Sequence, residues 1–170
     1  MFTFIKETWK MAKMLFQSKP ADFDKLIVME MECYPLSGYS YLTWCGYCII
    51  RKGSKDTDNI PADDMNHEDI HLVQAKNCGS WLKFYSRYMW AWFRLSPLFG
   101  KFGYYLNEYE TEAYAKEEDL EYLERRPSGY VSMYDQENKR QVWKDSRKSP
   151  TEIHRSAVWR SWSKKSVPAP

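Results

Sequence analysis

The residues with the clearest chemical potential are His67, Glu68 and His71, which form the pattern His-Glu-x-x-His. On an α-helix, histidines four residues apart lie on one face, so both imidazoles can reach one metal ion while the glutamate points at a metal-bound water. Zinc held in this way activates that water for hydrolysis. The spacing therefore predicts the start of a zinc hydrolase site, with Glu68 as its general base.

This chemistry requires the five residues to be helical. Pro61, Asp63 and Asp64 are typical of a helix start, and Gly79 is typical of a helix stop in the left-handed conformation. A stripe of apolar side chains would anchor the helix in a core, and it comprises Met65, Ile70, Leu72, Val73 and Ala75. We expect a helix over about residues 64–77.

A catalytic zinc also needs a third protein ligand and an open fourth position. Carboxylates are concentrated in residues 106–117, whose composition favours a helix. Helical periodicity places Glu110 on an inward-facing stripe, whereas Glu108 and Glu112 fall on a charged stripe. The inward stripe also contains Leu106, Ala113, Tyr114, Glu117 and Leu120, and the charged stripe also contains Lys116 and Asp119. We therefore favour Glu110 as the third metal ligand.

The two segments together resemble the gluzincin group of zinc metallopeptidases, and in size its small minigluzincin-like members. The similarity consists of a short HExxH helix followed by a helix with Glu in an E-x-x-A setting, here Glu110 to Ala113. It covers about residues 40–126 and extends to a group of small bacterial zincin-like proteins. The resemblance implies an α+β, zincin-like fold, in which a small sheet or hairpin precedes the HExxH helix and a second helix carries the third ligand. It also implies Zn2+ as cofactor and a peptide or protein substrate.

The resemblance can be aligned in more than one way. The pair Asn107-Glu108 is similar to the Asn-Glu pair of thermolysin-like gluzincins, and that alignment makes Glu108 the ligand, with Glu112 supporting it. The E-x-x-A alignment makes Glu110 the ligand, in agreement with the stripe argument. Glu108 and Glu112 remain the alternatives.

Hydrolysis in such a site also needs a group that stabilises the oxyanion. Tyr114, one helical turn beyond Glu110, is the candidate for this role, and a core tyrosine is the competing interpretation. The other candidates are Tyr104, Tyr105 and His154.

Upstream of the motif the sequence predicts a helix and a hairpin. Apolar residues recur at helical spacing over residues 4–16 with lysines between them, which indicates an amphipathic helix rather than a signal peptide. A cytoplasmic protein is therefore expected. Residues 26–31 and 41–50 are rich in β-branched and aromatic residues, and we interpret them as a hairpin. The resemblance places a strand that could bind an extended peptide at residues 41–51.

The four cysteines are interpreted as buried free thiols. The run Trp44-Cys45-Gly46-Tyr47-Cys48 resembles a thioredoxin active site, but that chemistry needs a helix to begin inside the motif. Here the next residues, 49–54, are typical of a strand followed by a turn. We therefore expect neither redox function nor a structural zinc bound by cysteines.

The aromatic segment 81–95 is predicted to be a core helix packing behind the metal site. It carries Lys83, Arg87 and Arg94 beside Trp and Tyr residues, so a peripheral membrane contact or a partner-binding face is the alternative. At 15 residues the segment is too short to span a bilayer.

Charge divides the chain into two parts. Residues 1–124 hold 14 basic and 19 acidic side chains, whereas residues 125–170 hold 11 basic and 4 acidic. We predict a zincin-like domain over residues 1–126 and a basic, partly disordered C-terminal extension over residues 127–170. Aromatic residues in the extension would suit single-stranded nucleic acid, but a tail that wraps the domain is favoured, and no nucleic-acid partner is expected.

Two function classes follow from the sequence. The first is a zinc metallopeptidase that hydrolyses peptide bonds with metal-activated water. The second is a catalytically inactive protein that keeps the zincin scaffold and binds a protein or membrane partner, because a fold does not guarantee an activity.

Overall fold

The computed structural model describes residues 2–17, 23–37, 39–53, 59–99, 102–105 and 107–126 of the chain. These residues build an α+β structure, which confirms the predicted fold class at that level. The chain divides into two compact units, residues 1–84 and residues 85–170. The predicted C-terminal extension, residues 127–170, lies outside the described residues, and the single zincin-like domain over residues 1–126 stays a prediction.

In chain order the elements are α1 (Phe2–Gln17), β1 (Ile27–Met31), β2 (Tyr41–Trp44), β3 (Tyr47–Arg51), α2 (Ala62–Cys78), α3 (Trp81–Phe99), α4 (Phe102–Tyr105), α5 (Glu108–Lys116) and α6 (Tyr122–Arg125). The predicted HExxH helix is α2, two residues longer at its start and one at its end. Pro61 precedes it, and Gly79 ends it with a φ of 77°, in the left-handed conformation that glycine adopts without strain. The helix that carries the motif therefore has the expected start and stop.

The three strands form a sheet in the order β1-β3-β2. β2 and β3 are antiparallel neighbours, joined by a turn in which Cys45 and Gly46 have φ values of 50° and 86°. Two positive φ values in a two-residue connection are characteristic of the tight turns that match strand twist. β1 pairs with β3 in parallel, so the predicted hairpin between residues 26–31 and 41–50 is wrong. The hairpin consists of β2 and β3, both within residues 41–51. The turn at Cys45 and Gly46 divides a segment that looks like one continuous apolar strand in the sequence.

The two faces of the sheet pack against different helices. On one face, Met11 of α1 packs with Met31 and Ile49, and the indole of Trp44 donates a 2.9 Å hydrogen bond to the Met11 carbonyl. Because successive side chains of a strand point to opposite faces, Thr43 points the other way, where β2 meets α2. The sheet therefore presents Thr43 to the helix that carries the HExxH motif.

Helix α3 is buried along one face as far as its side chains are described, which excludes residues 95 and 97–99. Among the described side chains, Trp81, Phe84 and Ala91 are buried, and the apolar Leu82, Trp90 and Phe93 are exposed. The burial fits a core helix on this face, and its packing behind the metal site stays a prediction. The predicted end at Ser96-Pro97 is wrong because the helix continues to Phe99. None of the helices in the described part of the chain is both long and apolar enough to cross a membrane.

In the second unit, short elements pack closely around α5. Asn107 caps α5: its side-chain oxygen accepts a 3.2 Å hydrogen bond from the Tyr109 N–H, and its amide donates to the Tyr88 carbonyl. Gly103 of α4 lies so near α3 that a Cβ at this position would be 2.8 Å from the Ser96 nitrogen. Tyr104, the next residue, hydrogen-bonds to Glu110 of α5.

Candidate metal centre

The three residues of the HExxH motif lie buried on α2. His67, Glu68 and His71 are 8%, 7% and 6% exposed. The two imidazole rings approach edge to face, with centroids 4.9 Å apart. The helix therefore brings the histidines together on one face, as their spacing predicts.

A hydrogen bond fixes the orientation of His71. Its Nδ1 lies 2.8 Å from the Oε1 of Gln74, which is fully buried one turn further along the helix. Because a carbonyl oxygen only accepts, the proton of a neutral imidazole is held on Nδ1 and the lone pair is left on Nε2. Metal-bound histidines are commonly oriented in this way by a partner on the other nitrogen.

Thr43 of β2 holds the carboxylate of Glu68. The Thr43 hydroxyl lies 2.5 Å from Oε2 of Glu68 and 3.2 Å from the Glu68 backbone carbonyl. A hydroxyl has one proton, so a carboxylate at this short distance is its acceptor. The sheet thereby fixes one oxygen of the glutamate that the motif assigns as general base.

Glu110 occupies the buried side of α5 and is only 2% exposed. The Tyr88 hydroxyl donates a 2.5 Å hydrogen bond to its Oε1, and Tyr104 hydrogen-bonds to both Glu110 and Tyr88. Burial and the nearby Glu110 carboxylate raise the pKa of Tyr88 and of Tyr104 well above the usual tyrosine value. Both phenols are therefore protonated donors at neutral pH.

His67, His71 and Glu110 form a buried group that could hold a metal ion. Each offers one ligand atom, and these atoms all lie within 4.8 Å of one another. Bonds of about 2.0–2.2 Å to a zinc ion separate its ligand atoms by roughly 3.4 Å, which lies within the 4.8 Å limit of this group. Two imidazoles and one carboxylate are a donor set found in catalytic zinc sites. The residue types and their burial therefore fit zinc.

The alternative ligand Glu112 is engaged elsewhere. Its carboxylate accepts hydrogen bonds from the Arg126 guanidinium at 2.5 and 3.1 Å and from the Tyr122 hydroxyl at 2.8 Å. Glu112 and Lys116, which helical periodicity placed on the charged stripe and not on the inward-facing one, are both buried. Glu108, the other alternative, is half-buried, and the three-residue group contains neither of them.

Two of the oxyanion candidates, Tyr104 and Tyr114, have described side chains, on α4 and α5. Tyr114 is half-buried and lies within electrostatic reach of Tyr88 and Tyr104. Tyr104 is nearer to the ligand carboxylate, because it hydrogen-bonds to Glu110 directly. The side chains of Tyr105 and His154 lie outside the described part of the structure.

The four cysteines are free thiols, as the sequence predicts. Cys45 lies in the turn while Cys48 lies in β3, so no helix begins inside the C-x-x-C run. Burial, followed by the charges of Glu68, Asp69 and Asp64, raises the pKa of Cys48 to about 12. A thiol that holds its proton so strongly is a poor nucleophile.

Three contributors to the site are absent from the sequence-based candidates: Gln74, Thr43 and Tyr88. Helical spacing gives a signal for Gln74, because it lies one turn beyond His71 on the same face. Thr43 and Tyr88 approach the site through tertiary packing, for which the sequence of either segment carries no local signal.

Comparison with known proteins adds no relative. No protein-family model, no curated protein and no solved structure matches the chain. The resemblance to gluzincins therefore stays a prediction, and any functional proposal depends on the geometry of the described residues.

Proposed function

We propose that this protein is a zinc-dependent metallopeptidase. The observation that carries the proposal is the buried group of His67, His71 and Glu110, with Glu68 on the same helix as the two histidines. Three protein ligands leave the fourth position of a tetrahedral zinc open for water or substrate, which is the arrangement of catalytic rather than structural sites.

In this proposal each residue has one role. His67, His71 and Glu110 hold the metal, and Gln74 keeps the Nε2 of His71 available for it. Zinc, when bound, lowers the pKa of a coordinated water and polarises the scissile carbonyl. Glu68 takes a proton from the attacking water and delivers it to the leaving amine, while Thr43 holds Oε2 and leaves Oε1 to accept that proton.

A tyrosine hydroxyl completes the proposed reaction. In the proposal, Tyr114 donates a hydrogen bond to the oxyanion that forms from the scissile carbonyl. Tyr88 and Tyr104, which bond to Glu110, are assigned the orientation of that ligand.

A peptide or protein substrate is supported by the position of β2. Within the described residues, the predicted peptide-binding segment 41–51 contains β2 and β3. β3 is the central strand of the sheet and β2 is an edge strand, so of these two strands only β2 can accept an extended peptide. β2 also carries Thr43, which contacts Glu68. A strand added there would run close to the general base.

Two variants of neighbouring residues test the proposal. We expect the wild type to bind one equivalent of zinc and to cleave members of a quenched fluorescent peptide library. Glu68→Gln should keep the zinc and lose cleavage by a factor of about 10² or more, because the amide cannot take a proton. His67→Ala should lose both, because one of three ligands is removed.

Metal analysis separates the outcomes. Protein that takes up no zinc at neutral pH overturns the proposal. Cleavage that persists undiminished in Glu68→Gln also overturns it. One bound zinc without cleavage of any peptide would instead support the alternative function, a catalytically inactive zincin-scaffold protein that binds a partner.

A further inference from the structure

Helix α1 is anchored to the first unit by one face. The two carboxylate oxygens of Glu7 accept 2.8 Å hydrogen bonds from the backbone N–H groups of Glu32 and Cys33. The Thr8 hydroxyl lies 2.8 Å from the Tyr34 hydroxyl, and Met11 is buried against the sheet. These contacts fix which side of α1 is turned away from the sheet.

The outward side of α1 carries large apolar residues. Ile5, Trp9 and Phe16 are 56%, 64% and 77% exposed, and Phe2 at the start of the helix is 80% exposed. At 100° per residue these four lie within about 60° of one another, and Trp9 lies about 160° from Met11. They form a continuous exposed stripe, which we call the α1 apolar stripe.

Lysines line one border of this stripe. Lys6, Lys10 and Lys13 follow it around the helix and are all exposed, and the amino group of Lys13 lies 5.6 Å from the centre of the Trp9 ring. Lys10 also reaches the Met29 sulfur at 3.4 Å. The acidic residue of α1, Glu7, is turned to the opposite face and bonded there. The outward face is therefore both apolar and positively charged.

The charge argues against two other occupants of this face. A second copy that docked by the same face would bring a second row of lysines, and residues 127–170 carry 9 basic and 4 acidic side chains, so both would meet like charge. A helix with a Trp and Phe stripe beside lysines is instead typical of one that lies in a membrane interface, with lysines at anionic headgroups.

We propose that the outward face of α1 binds the surface of a membrane that contains anionic lipids. The α1 apolar stripe enters the boundary between headgroups and acyl chains, and the three lysines contact the headgroup phosphates. This binding needs no metal, so its test is independent of the proposed peptidase activity.

Vesicle sedimentation with the full chain tests the proposal. We expect binding to vesicles of equal parts phosphatidylcholine and phosphatidylglycerol, and binding about 100-fold weaker to phosphatidylcholine alone, because each of the three lysines contributes about a factor of five at an anionic surface. The double variant Trp9→Ser, Phe16→Ser should bind the mixed vesicles about tenfold more weakly than wild type. Replacing Lys6, Lys10 and Lys13 with Gln should abolish the preference for the anionic vesicles.

Trp90→Ser is the matched control, because Trp90 is a tryptophan of α3 with a similar exposure of 69%. This variant should bind like the wild type. All the substituted side chains are exposed, and circular dichroism checks that each variant is folded. Unchanged vesicle binding by the Trp9→Ser, Phe16→Ser variant overturns the proposal. A result in which Trp90→Ser loses binding and the double variant keeps it also overturns the proposal. A dimer that Trp9→Ser dissociates would show that a second copy occupies the face.

Discussion

At the scale of single residues, the hydrogen bond between His71 and Gln74 decides which imidazole nitrogen is available to a metal. Gln74→Leu removes the acceptor, so the ring loses its fixed tautomer and orientation. We expect zinc affinity, measured by competition with a chelator, to fall about 10- to 100-fold.

Gln74→Glu is the matched variant for this test, because a carboxylate can still accept the proton of Nδ1. It should keep zinc affinity near that of the wild type. If Gln74→Leu binds zinc as tightly as Gln74→Glu does, Gln74 does not orient the ligand.

The buried carboxylate of Glu112 leads to a prediction about stability rather than about metal. Arg126→Met leaves Glu112 without the guanidinium that neutralises it, and we expect a loss of about 3–5 kcal/mol in the free energy of unfolding, measured with urea. Zinc binding should persist, because Glu112 is not one of the three grouped residues.

The adjacent Arg125 provides the control for Arg126. It pairs with Asp119 at 2.7 Å, but both side chains are well exposed. Arg125→Met should therefore cost less than about 1 kcal/mol. Equal losses for the two variants would contradict the buried-pair argument, and loss of zinc in Arg126→Met would return Glu112 to the list of ligands.

These residues also show where a sequence stops being informative about a site. The pair of histidines follows from local spacing, because it depends on the geometry of one helix. The stripe argument that favoured Glu110 is weaker, because Leu120 of the same stripe is 59% exposed and Glu112 of the charged stripe is fully buried. The burial of Glu112 depends on Arg126, 14 residues away and outside the helix. Periodicity within α5 cannot reveal a partner that packs back onto it from beyond its end.

At the scale of elements, helices were more predictable than strand pairing. The start and stop of α2 depend on Pro61 and Gly79, whose backbone preferences are local. The pairing of β1 with β3 depends on which strand occupies the centre of the sheet, and that order is a tertiary choice. The turn at Cys45 and Gly46 was hidden because one of its two positive-φ positions is not glycine.

The close packing of α4 on α3 gives a prediction at this scale. Gly103→Ala would place a Cβ within 3.0 Å of three atoms of Ser96, two of them backbone, so α4 must move away. We expect a loss of about 1–3 kcal/mol in unfolding free energy, measured with urea. Because Tyr104 follows Gly103 and bonds to Glu110, the displacement should also weaken zinc binding.

Gly53→Ala separates steric from conformational effects. Gly53 has a φ of 77° and open space around the added Cβ, so its replacement costs only backbone strain, about 1 kcal/mol. It should leave zinc affinity unchanged. If Gly103→Ala also leaves zinc affinity unchanged, the packing of α4 does not position the ligand carboxylate.

At the scale of the whole molecule, a bound metal should stabilise the folded chain. A ligand that binds only the native state adds RT ln(1 + [L]/Kd), which is about 2.7 kcal/mol when zinc is present at 100 times its Kd. For a chain of 170 residues each kcal/mol raises the melting temperature by roughly 2–4 °C, so we expect a rise of several degrees.

Variants of the proposed ligands test whether the rise in melting temperature comes from zinc bound at this site. His67→Ala and Glu110→Ala each remove one of the three grouped side chains, so zinc should no longer raise the melting temperature of either variant. Glu108→Ala removes the half-buried carboxylate at the start of α5, the helix of Glu110, and zinc should raise its melting temperature as much as that of the wild type. Differential scanning calorimetry with and without zinc measures all four proteins. A shift that survives in Glu110→Ala but disappears in Glu108→Ala would reassign the third ligand, because a native-state ligand can stabilise only through the residues that bind it.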